Sequence, residues 1–454
     1  ALHDSIINGF DCFVAGAYFC LMPQWISQIL FALLLAVSIW FFVKRVRFIR
    51  RNILLGRDLS IPGDFKWRLR TMTRVALGQS KMVVRPVAGF FHILIYAGFV
   101  LINIEVLEIL VDGLAGTHRA FSFLGAIYDA AIGFFELLAL AVLIACVVFL
   151  ARRYVLKLKR LQSPELEGQP QRDAATILIV EIVLMKALLI MNAADQLLQS
   201  RYVEHFHPAG LFPVSNFLTP LFESWSNESL MMLERGAWWF HIVGILIFLN
   251  YVPYSKHWHI IMSFPNTWYT PKKEKGEFAN MESVTTEVKL MLDPSAPTPE
   301  GYQPPSGFGA RDVHDLSWKN LMDAYTCTEC GRCSSVCPAN ITGKKLSPRK
   351  VMMNTRDRLE EHGNNLDKGI QDEKNLHSYI SAEELWACTT CNACAEACPV
   401  NINPVDIIMQ MRQYLVMEQS AAPSELNGML TNIENNGAPW QFSPMDRANW
   451  TQGS

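Results

Sequence analysis

Eight of the chain's eleven cysteines fall between residues 327 and 398, and they form two copies of one pattern. Cys327-Thr-Glu-Cys330-Gly-Arg-Cys333-Ser-Ser-Val-Cys337-Pro338 reads C-x2-C-x2-C-x3-C-P, and Cys388-Thr-Thr-Cys391-Asn-Ala-Cys394-Ala-Glu-Ala-Cys398-Pro399 repeats it. A tight loop of this kind offers three thiolates to one iron–sulfur cluster, while the fourth cysteine, carried away on the next turn of helix, completes the other. The pattern predicts two 4Fe-4S clusters with crossed ligation: Cys327, Cys330, Cys333 and Cys398 on the first, Cys388, Cys391, Cys394 and Cys337 on the second. A structural zinc site needs only four ligands and has no use for the Cys-Pro ending. Thiols grouped so tightly also indicate a reducing compartment rather than a disulfide framework.

Histidines supply the second set of reactive groups. His92, His241 and His259 lie in or at the ends of apolar segments, where ionisable side chains are costly and mark function. His241 and His259 are 18 residues apart, five helical turns, so one helix face presents imidazoles at two depths about 27 Å apart. Two neutral imidazoles facing each other from neighbouring helices can ligate haem iron axially if they share a depth. The His92 segment runs outward and the His241–His259 segment inward, so His92 meets His257 or His259 near the inner surface. His92 with His259 is the pair expected to hold a b haem, and His241 is left for a second haem or a quinone. Glu136, Glu181 and Lys186 are also intramembrane, suited either to quinone protonation or to pairing inside the bundle.

These groups need elements to hold them. Half of the 454 residues are hydrophobic and 18% are charged, a balance too apolar for an ordinary soluble protein. Five segments are apolar over a length that crosses ~30 Å of hydrocarbon: Trp25 to Val43, Val87 to Ile104, Ala130 to Leu150, Ala174 to Ile190 and Ala237 to Val252. Ile6 to Met22 is a weaker sixth, interrupted by Asp11, and no basic stretch precedes it as in a signal peptide. The connections 44 to 85, 105 to 129, 151 to 173 and 191 to 236 hold twelve, one, six and two lysines and arginines. Basic loops stay in the cytoplasm, which puts the N-terminus outside and the cysteine motifs inside a bacterial or archaeal cell membrane. Cys12 and Cys20 could then pair on the outer side, and Cys146 is a buried small side chain.

The expected fold is mainly α. A five-helix transmembrane bundle (1–260) leads through a proline-rich linker (261–315) to a helical dicluster ferredoxin domain (316–420) and a docking tail (421–454). In the linker, Pro265 and six later prolines are expected to break any long helix. Between the motifs, Pro348 starts a helical segment over 349–359, and Ser381-Ala-Glu-Glu384 fits a capping box. Gly307-Phe-Gly309 lacks the third glycine of a dinucleotide fingerprint and no phosphate-binding loop motif occurs, so neither NAD nor ATP is expected by those routes. A net charge of −2 gives no case for nucleic acid.

Two family resemblances follow from these residues. The run from His241 to Ile260, ending Pro253-Tyr-Ser-Lys-His-Trp-His259-Ile260, resembles the last membrane helix of the respiratory nitrate reductase gamma subunit. That likeness implies haem b and matches His92, His241 and His259 to haem ligands. Ile102 stands where a fourth ligand is expected, so the inner haem is the one implied. Residues 312 to 454, through both cysteine motifs, Leu346-Ser-Pro348 and the tail around Trp440 and Arg447, resemble the iron–sulfur subunits of heterodisulfide reductase and of related membrane-bound oxidoreductases serving electron-transfer flavoprotein. Those families continue into cysteine-rich CCG domains. No Cys-Cys pair occurs here, so the terminal chemistry is expected on another polypeptide, or the chain works purely as a wire.

Together these readings describe an oxidoreductase subunit of a respiratory chain, passing electrons between a cytoplasmic redox partner, two 4Fe-4S clusters, a b haem and the membrane quinone pool. The partner bears CCG domains if the chain serves a thiol–disulfide reductase, and is a flavoprotein if it serves electron-transfer flavoprotein. A redox-sensing or assembly scaffold is the reading from another class, for which a haem and a quinone site would be superfluous.

Overall fold

A computed structural model describes residues 24–274, 276–278, 280–298 and 307–452. Cys12, Cys20 and the Ile6–Met22 segment lie outside them. Among the described residues the regular elements are all helices: α1 (Gln24–Ile53), α2 (Phe65–Met72), α3 (Pro86–Ala115), α4 (Ala126–Tyr154), α5 (Gln169–Ser200), α6 (Asn227–Tyr251), α7 (His259–Trp268), α8 (Glu282–Leu292), α9 (Trp318–Thr326), α10 (Arg332–Val336), α11 (Pro338–Ile341), α12 (Pro348–Lys368), α13 (Ala382–Trp386), α14 (Ala393–Ala397), α15 (Pro404–Met417) and α16 (Ser424–Asn436). The five expected spans correspond to α1, α3, α4, α5 and α6, each long and apolar enough to cross a membrane.

Each helix runs past its apolar stretch because its caps lie farther out than the hydrophobic signal. Pro86 starts α3 at a position where its missing N–H costs nothing, and Gly116 ends it in the left-handed conformation at φ 73°. Ser226 caps α6 by accepting from the Ser229 N–H, eleven residues before the expected start at Ala237. Consecutive helices pack as neighbours from α3 to α6, and α1 lies against α3 and α6. Small residues permit the close approach. A Cβ on Gly98 would meet Val142 at 2.4 Å, and one on Gly244 would meet Leu184 at 2.7 Å.

The dicluster domain is built on α9, α12 and α15, whose Leu321, Leu359, Ile407, Ile408 and Met411 are fully buried. Its core runs on without a break into the end of the bundle, through Ile49, Phe248, Val252, Trp258 and Met262. Polar links reinforce this seam. Arg57 N–H donates to Leu316 O at 2.8 Å and Trp318 N–H to Arg57 O at 3.1 Å, a single parallel bridge. A Cβ on Gly56 would meet Trp318 N at 2.6 Å, so glycine is required there. Arg45 pairs with Glu360 at 2.7 Å, Arg51 with Asp367, and Asn52 donates to the Tyr325 hydroxyl at 3.0 Å. The two strongly basic connections therefore lie at the end that carries the dicluster domain.

The capping box at Ser381 and Glu384 is present. The segment expected over 349–359 continues to Lys368, where Gly369 in the left-handed conformation ends it. The proline-rich region differs from expectation: Pro265 sits inside α7. A proline there forfeits one backbone hydrogen bond, and tertiary bonds override the loss. Asn266, fully buried, donates to Val400 O at 2.9 Å and accepts from Lys319 Nζ at 3.0 Å, tying α7 to the dicluster domain.

The buried Arg358 guanidinium anchors the start of that domain, donating to Asp312 at 2.6 and 3.0 Å and to Lys374 O at 2.6 Å. Asp312→Ala should leave this charge short of its bidentate carboxylate and cost about 3 kcal/mol. A clear fall in the thermal melting temperature of the purified protein is expected, and an unchanged melt would contradict the anchoring role.

Candidate metal and cofactor sites

The two cysteine loops share a backbone device. Glu329 (φ 55°) and Gly331 (φ 71°) in the first loop, and Thr390 (φ 54°) and Asn392 (φ 56°) in the second, adopt left-handed conformations at equivalent positions. Reversing the chain on both sides of the second cysteine lets three side chains of a short loop turn to one side. A Cβ on Gly331 would meet Arg349 Nη1 at 2.5 Å, so the first loop needs glycine, while asparagine tolerates the same conformation in the second. Each loop leads into a five-residue helix, α10 or α14, and these two pack on each other.

That packing brings the motifs together crosswise. One cavity is lined by Cys327, Cys330, Cys333, Cys394 and Cys398. Cys337, from the first motif, lies within electrostatic reach of Cys388 and Cys394. Burial pushes the Cys327 and Cys394 thiols up to about 12 and Cys398 up to about 11. Backbone N–H groups of Val400 and Ile402 point at Cys398 Sγ, and that of Thr390 donates to Cys388 Sγ at 3.4 Å. Such donors stabilise thiolates bound to a cluster. Among the described residues no three His, Cys, Asp or Glu side chains close around a single ion. Four thiolates on the corners of a cluster stand farther apart than the ligands of one metal ion, so the donor set and its cavity fit the larger group. Cys391 is exposed, at the outer edge of the second group.

His92 on α3 and His259 at the start of α7 face each other with ring centroids 6.3 Å apart and planes at 43°. A turn of 3-10 helix, Lys256–Trp258, ends the α6 segment and aims His259 back at the bundle. His259 Nδ1 lies 3.0 Å from Lys256 O; a carbonyl only accepts, so Nδ1 carries the proton and Nε2 keeps a free lone pair. His92 Nδ1 and His257 Nε2 are buried without a hydrogen-bond partner among the described residues. His257 packs against His259 at 5.7 Å and Phe248 at 5.5 Å. His241 stands apart: it is buried, and its Nδ1 is 3.0 Å from Leu184 O.

The end of the bundle remote from the dicluster domain holds a polar network, of which only Glu136 is singled out by the sequence. Arg119, in the loop after α3, donates to Asp195 at 2.6 Å, to the Tyr128 hydroxyl at 3.0 Å and to Asn192 at 3.2 Å. Tyr128 donates in turn to Glu108 at 2.9 Å. Glu136 accepts from Asn192 at 3.1 Å, from Val214 N–H at 2.9 Å and from the Ser215 hydroxyl. Glu105 is buried within electrostatic reach of Arg119, Glu108 and Glu136. Beyond Glu136, a signal was available in Asp195 on the apolar α5; its partner, 76 residues away, follows no periodicity. Of the other expected groups, Glu181 is half-buried and Lys186 is exposed on the outer face of α5, so Lys186 does not face the bundle interior. An open cleft of about 670 Å³ lies beside this network, lined by Phe134, Leu137, Gln196, Phe212, Pro213 and Asn216 among others.

The 4Fe-4S dicluster domain family matches residues 326–402. The chain is 29% identical to a probable iron–sulfur-binding oxidoreductase, FadF, of Bacillus subtilis, over 93% of this chain and 60% of that protein. It is 25% identical to the EtfAB:quinone oxidoreductase of Syntrophomonas wolfei, over 94% of this chain and 59% of the relative. A probable membrane-anchored ferredoxin of Chromohalobacter salexigens is 31% identical over 37% of this chain and 27% of its own length. The chain thus spans about three fifths of the length of the first two relatives. No solved structure matches.

Among the described residues, Arg119 is the guanidinium that faces the buried carboxyl groups of Glu105, Glu108 and Asp195. Arg119→Leu should leave Asp195 with only Gln199 at 3.2 Å and His118 at 3.4 Å beside it among the described residues, and cost about 3 kcal/mol. Thermal melting of the detergent-solubilised protein should show a large loss, with partial recovery in Arg119→Lys, which restores charge without the planar fork. Equal melting of wild type and Arg119→Leu would show that the network bears no load.

Proposed function

We propose that this chain is a membrane-bound electron-transfer subunit, linking a soluble redox partner to a membrane quinone through two 4Fe-4S clusters and one b haem. The observation that carries the reading is the facing pair His92 and His259, connected through Lys256 and Glu329 to the cysteine cavity. His92 and His259, with ring centroids 6.3 Å apart, would be the residues that hold the haem, and the Lys256 carbonyl sets the His259 tautomer that a ligand needs. Bound there, the haem would supply a one-electron carrier. The cysteine groups would hold the clusters in the crossed arrangement, Cys327, Cys330, Cys333 and Cys398 on one and Cys388, Cys391, Cys394 and Cys337 on the other.

The quinone reading rests on the cleft beside Glu136. Phe134 and Phe212 offer aromatic faces for a headgroup, Gln196 and Asn216 offer amides for its carbonyl oxygens, and the open side admits an isoprenoid tail from the lipid. Glu136, bonded to Ser215 behind this lining, is the group suited to exchange protons. The name of the Syntrophomonas relative couples EtfAB to quinone. We carry that pairing over: the soluble partner is a flavoprotein, which delivers electrons one at a time. The relatives' additional length leaves room for further redox chemistry on a partner or an adjoining segment.

Three measurements test these assignments. A dithionite-reduced minus oxidised spectrum should show haem b bands in wild type and in His241→Ala, and none in His92→Ala or His259→Ala. Absence of haem from the wild type defeats the haem reading, and loss only in His241→Ala shows the wrong depth. Iron and sulfide analysis of the haem-corrected protein should give two clusters' worth, and Cys337→Ala should remove the resonance signal that Cys388→Ala also removes. Reporters placed near Lys159 and near Gly116 should report cytoplasmic and external sides respectively; the reverse would put the clusters on the wrong side.

A further inference from the structure

Lys256 occupies the joint between α6 and α7, and each of its polar groups is engaged. Its N–H donates to Asp173 Oδ2 at 3.1 Å, and its Nζ donates to Pro170 O at 2.7 Å and pairs with the Glu329 carboxylate. Its carbonyl accepts from His259 Nδ1 at 3.0 Å. Glu329 lies between Cys327 and Cys330, is 4% exposed, and is bound from its other side by Arg356 at 2.9 Å. One residue therefore holds an imidazole by its backbone and a cysteine loop by its side chain.

The remaining bonds between the bundle's loops and the cysteine loops fall on the same side. Arg160 donates to Cys330 O at 2.7 Å, Arg332 to Lys81 O at 2.7 Å, Arg85 to Ser335 Oγ at 2.7 Å, and Lys81 to Cys398 O at 3.2 Å. Lys81 also reaches Glu396 O at 3.2 Å. The loop of Cys388, Cys391 and Cys394 is gripped instead from within its own domain, by Arg412 donating to Cys388 O at 2.5 Å and Leu385 O at 2.6 Å.

We propose that Lys256 is a positioning residue that fixes His259 against the Cys327–Cys330 loop, making the group of Cys327, Cys330, Cys333 and Cys398 the membrane-proximal redox site. The proposal rests on the haem and cluster assignments above. Its physical consequence is electrostatic as well as mechanical. Lys256 and Glu329 form a buried pair of opposite charges between the two sites, so removing either one leaves a net charge that both sites feel.

The experiment uses the full chain with its cofactors: Lys256→Met, Lys256→Arg, Glu329→Gln and the double variant Lys256→Met/Glu329→Gln, with midpoint potentials read by optical and paramagnetic resonance titration. Lys256→Met leaves uncompensated negative charge, which favours the oxidised form, so the haem and one cluster should both shift to lower potential. Glu329→Gln should shift the same two upward. The double variant should return toward wild type, and Lys256→Arg should stay close to it. A merely structural role gives no such reversal of sign. The cluster that moves should be the one whose signal disappears in Cys330→Ser. Shifts confined to the cluster that disappears in Cys388→Ser, or shifts of the same sign in both single variants, would overturn the proposal while leaving the cofactors in place. A wild type without haem or clusters would instead overturn the assignments on which it rests.

Discussion

Arg349 is completely buried where the bundle meets the dicluster domain, and the placement of the first cysteine loop depends on it. Its guanidinium donates to Glu165 at 2.6 Å and to Arg160 O at 2.8 Å, and its Nη1 fills the space that a side chain on Gly331 would need. Ser347, the N-cap of α12, donates to the same Glu165 oxygen at 2.7 Å. Arg160 passes the constraint on by donating to Cys330 O. A buried guanidinium without partners is strongly destabilising, so the connection between α4 and α5 and the cysteine loop must form together. The interface is consequently a single polar and apolar unit rather than two domains joined by a flexible linker.

The opposite end of the bundle solves a different problem. Carboxyl groups inside hydrocarbon are tolerated when they face protein and find donors. Asp195, Glu108 and Glu136 do so through Arg119, Tyr128, Asn192 and the turn at Val214 and Ser215, each on a separate stretch of chain. Small residues let the helices approach closely enough for such reach, as at Gly98 and Gly244. The bundle is therefore cross-linked at both ends, by charge pairs to the dicluster domain at one and by this network at the other.

The parts of this architecture that were legible in the sequence are those set by local rules. Apolar length located the five spans, cysteine spacing located both loops, and antiparallel depth singled out His92 and His259. Helix ends were less legible. The α5 and α6 helices extend about ten residues beyond the apolar signal, because Asn192, Asp195 and Glu234 are buried by partners that hydropathy does not report. Pro265 misled for the same reason, since the bonds of Asn266 are made across more than fifty residues. Lys256 and Glu329 each lie inside a recognisable run, but nothing in either run links the two. Lys186 looked like an interior charge by position alone, and only the helix packing shows that it lies on the outer face.

The energetics of the cysteine loops bear on how such a protein assembles. Burial holds the Cys327, Cys394 and Cys398 thiols at about 11 to 12, far above neutral pH, so the folded loops favour protonated sulfur when nothing is bound. A cluster ligand must be a thiolate, and binding therefore releases protons against that preference. The N–H groups aimed at Cys388 and Cys398, and the left-handed residues that aim them, offset part of this cost only when the sulfur carries charge. The loop backbone is thus shaped for the loaded state. Under the crossed ligation proposed above, neither motif would satisfy its group before α10 and α14 have packed. Cluster insertion and formation of the domain core would be coupled for that reason. The seam with the bundle, which shares that core, is drawn into the same event.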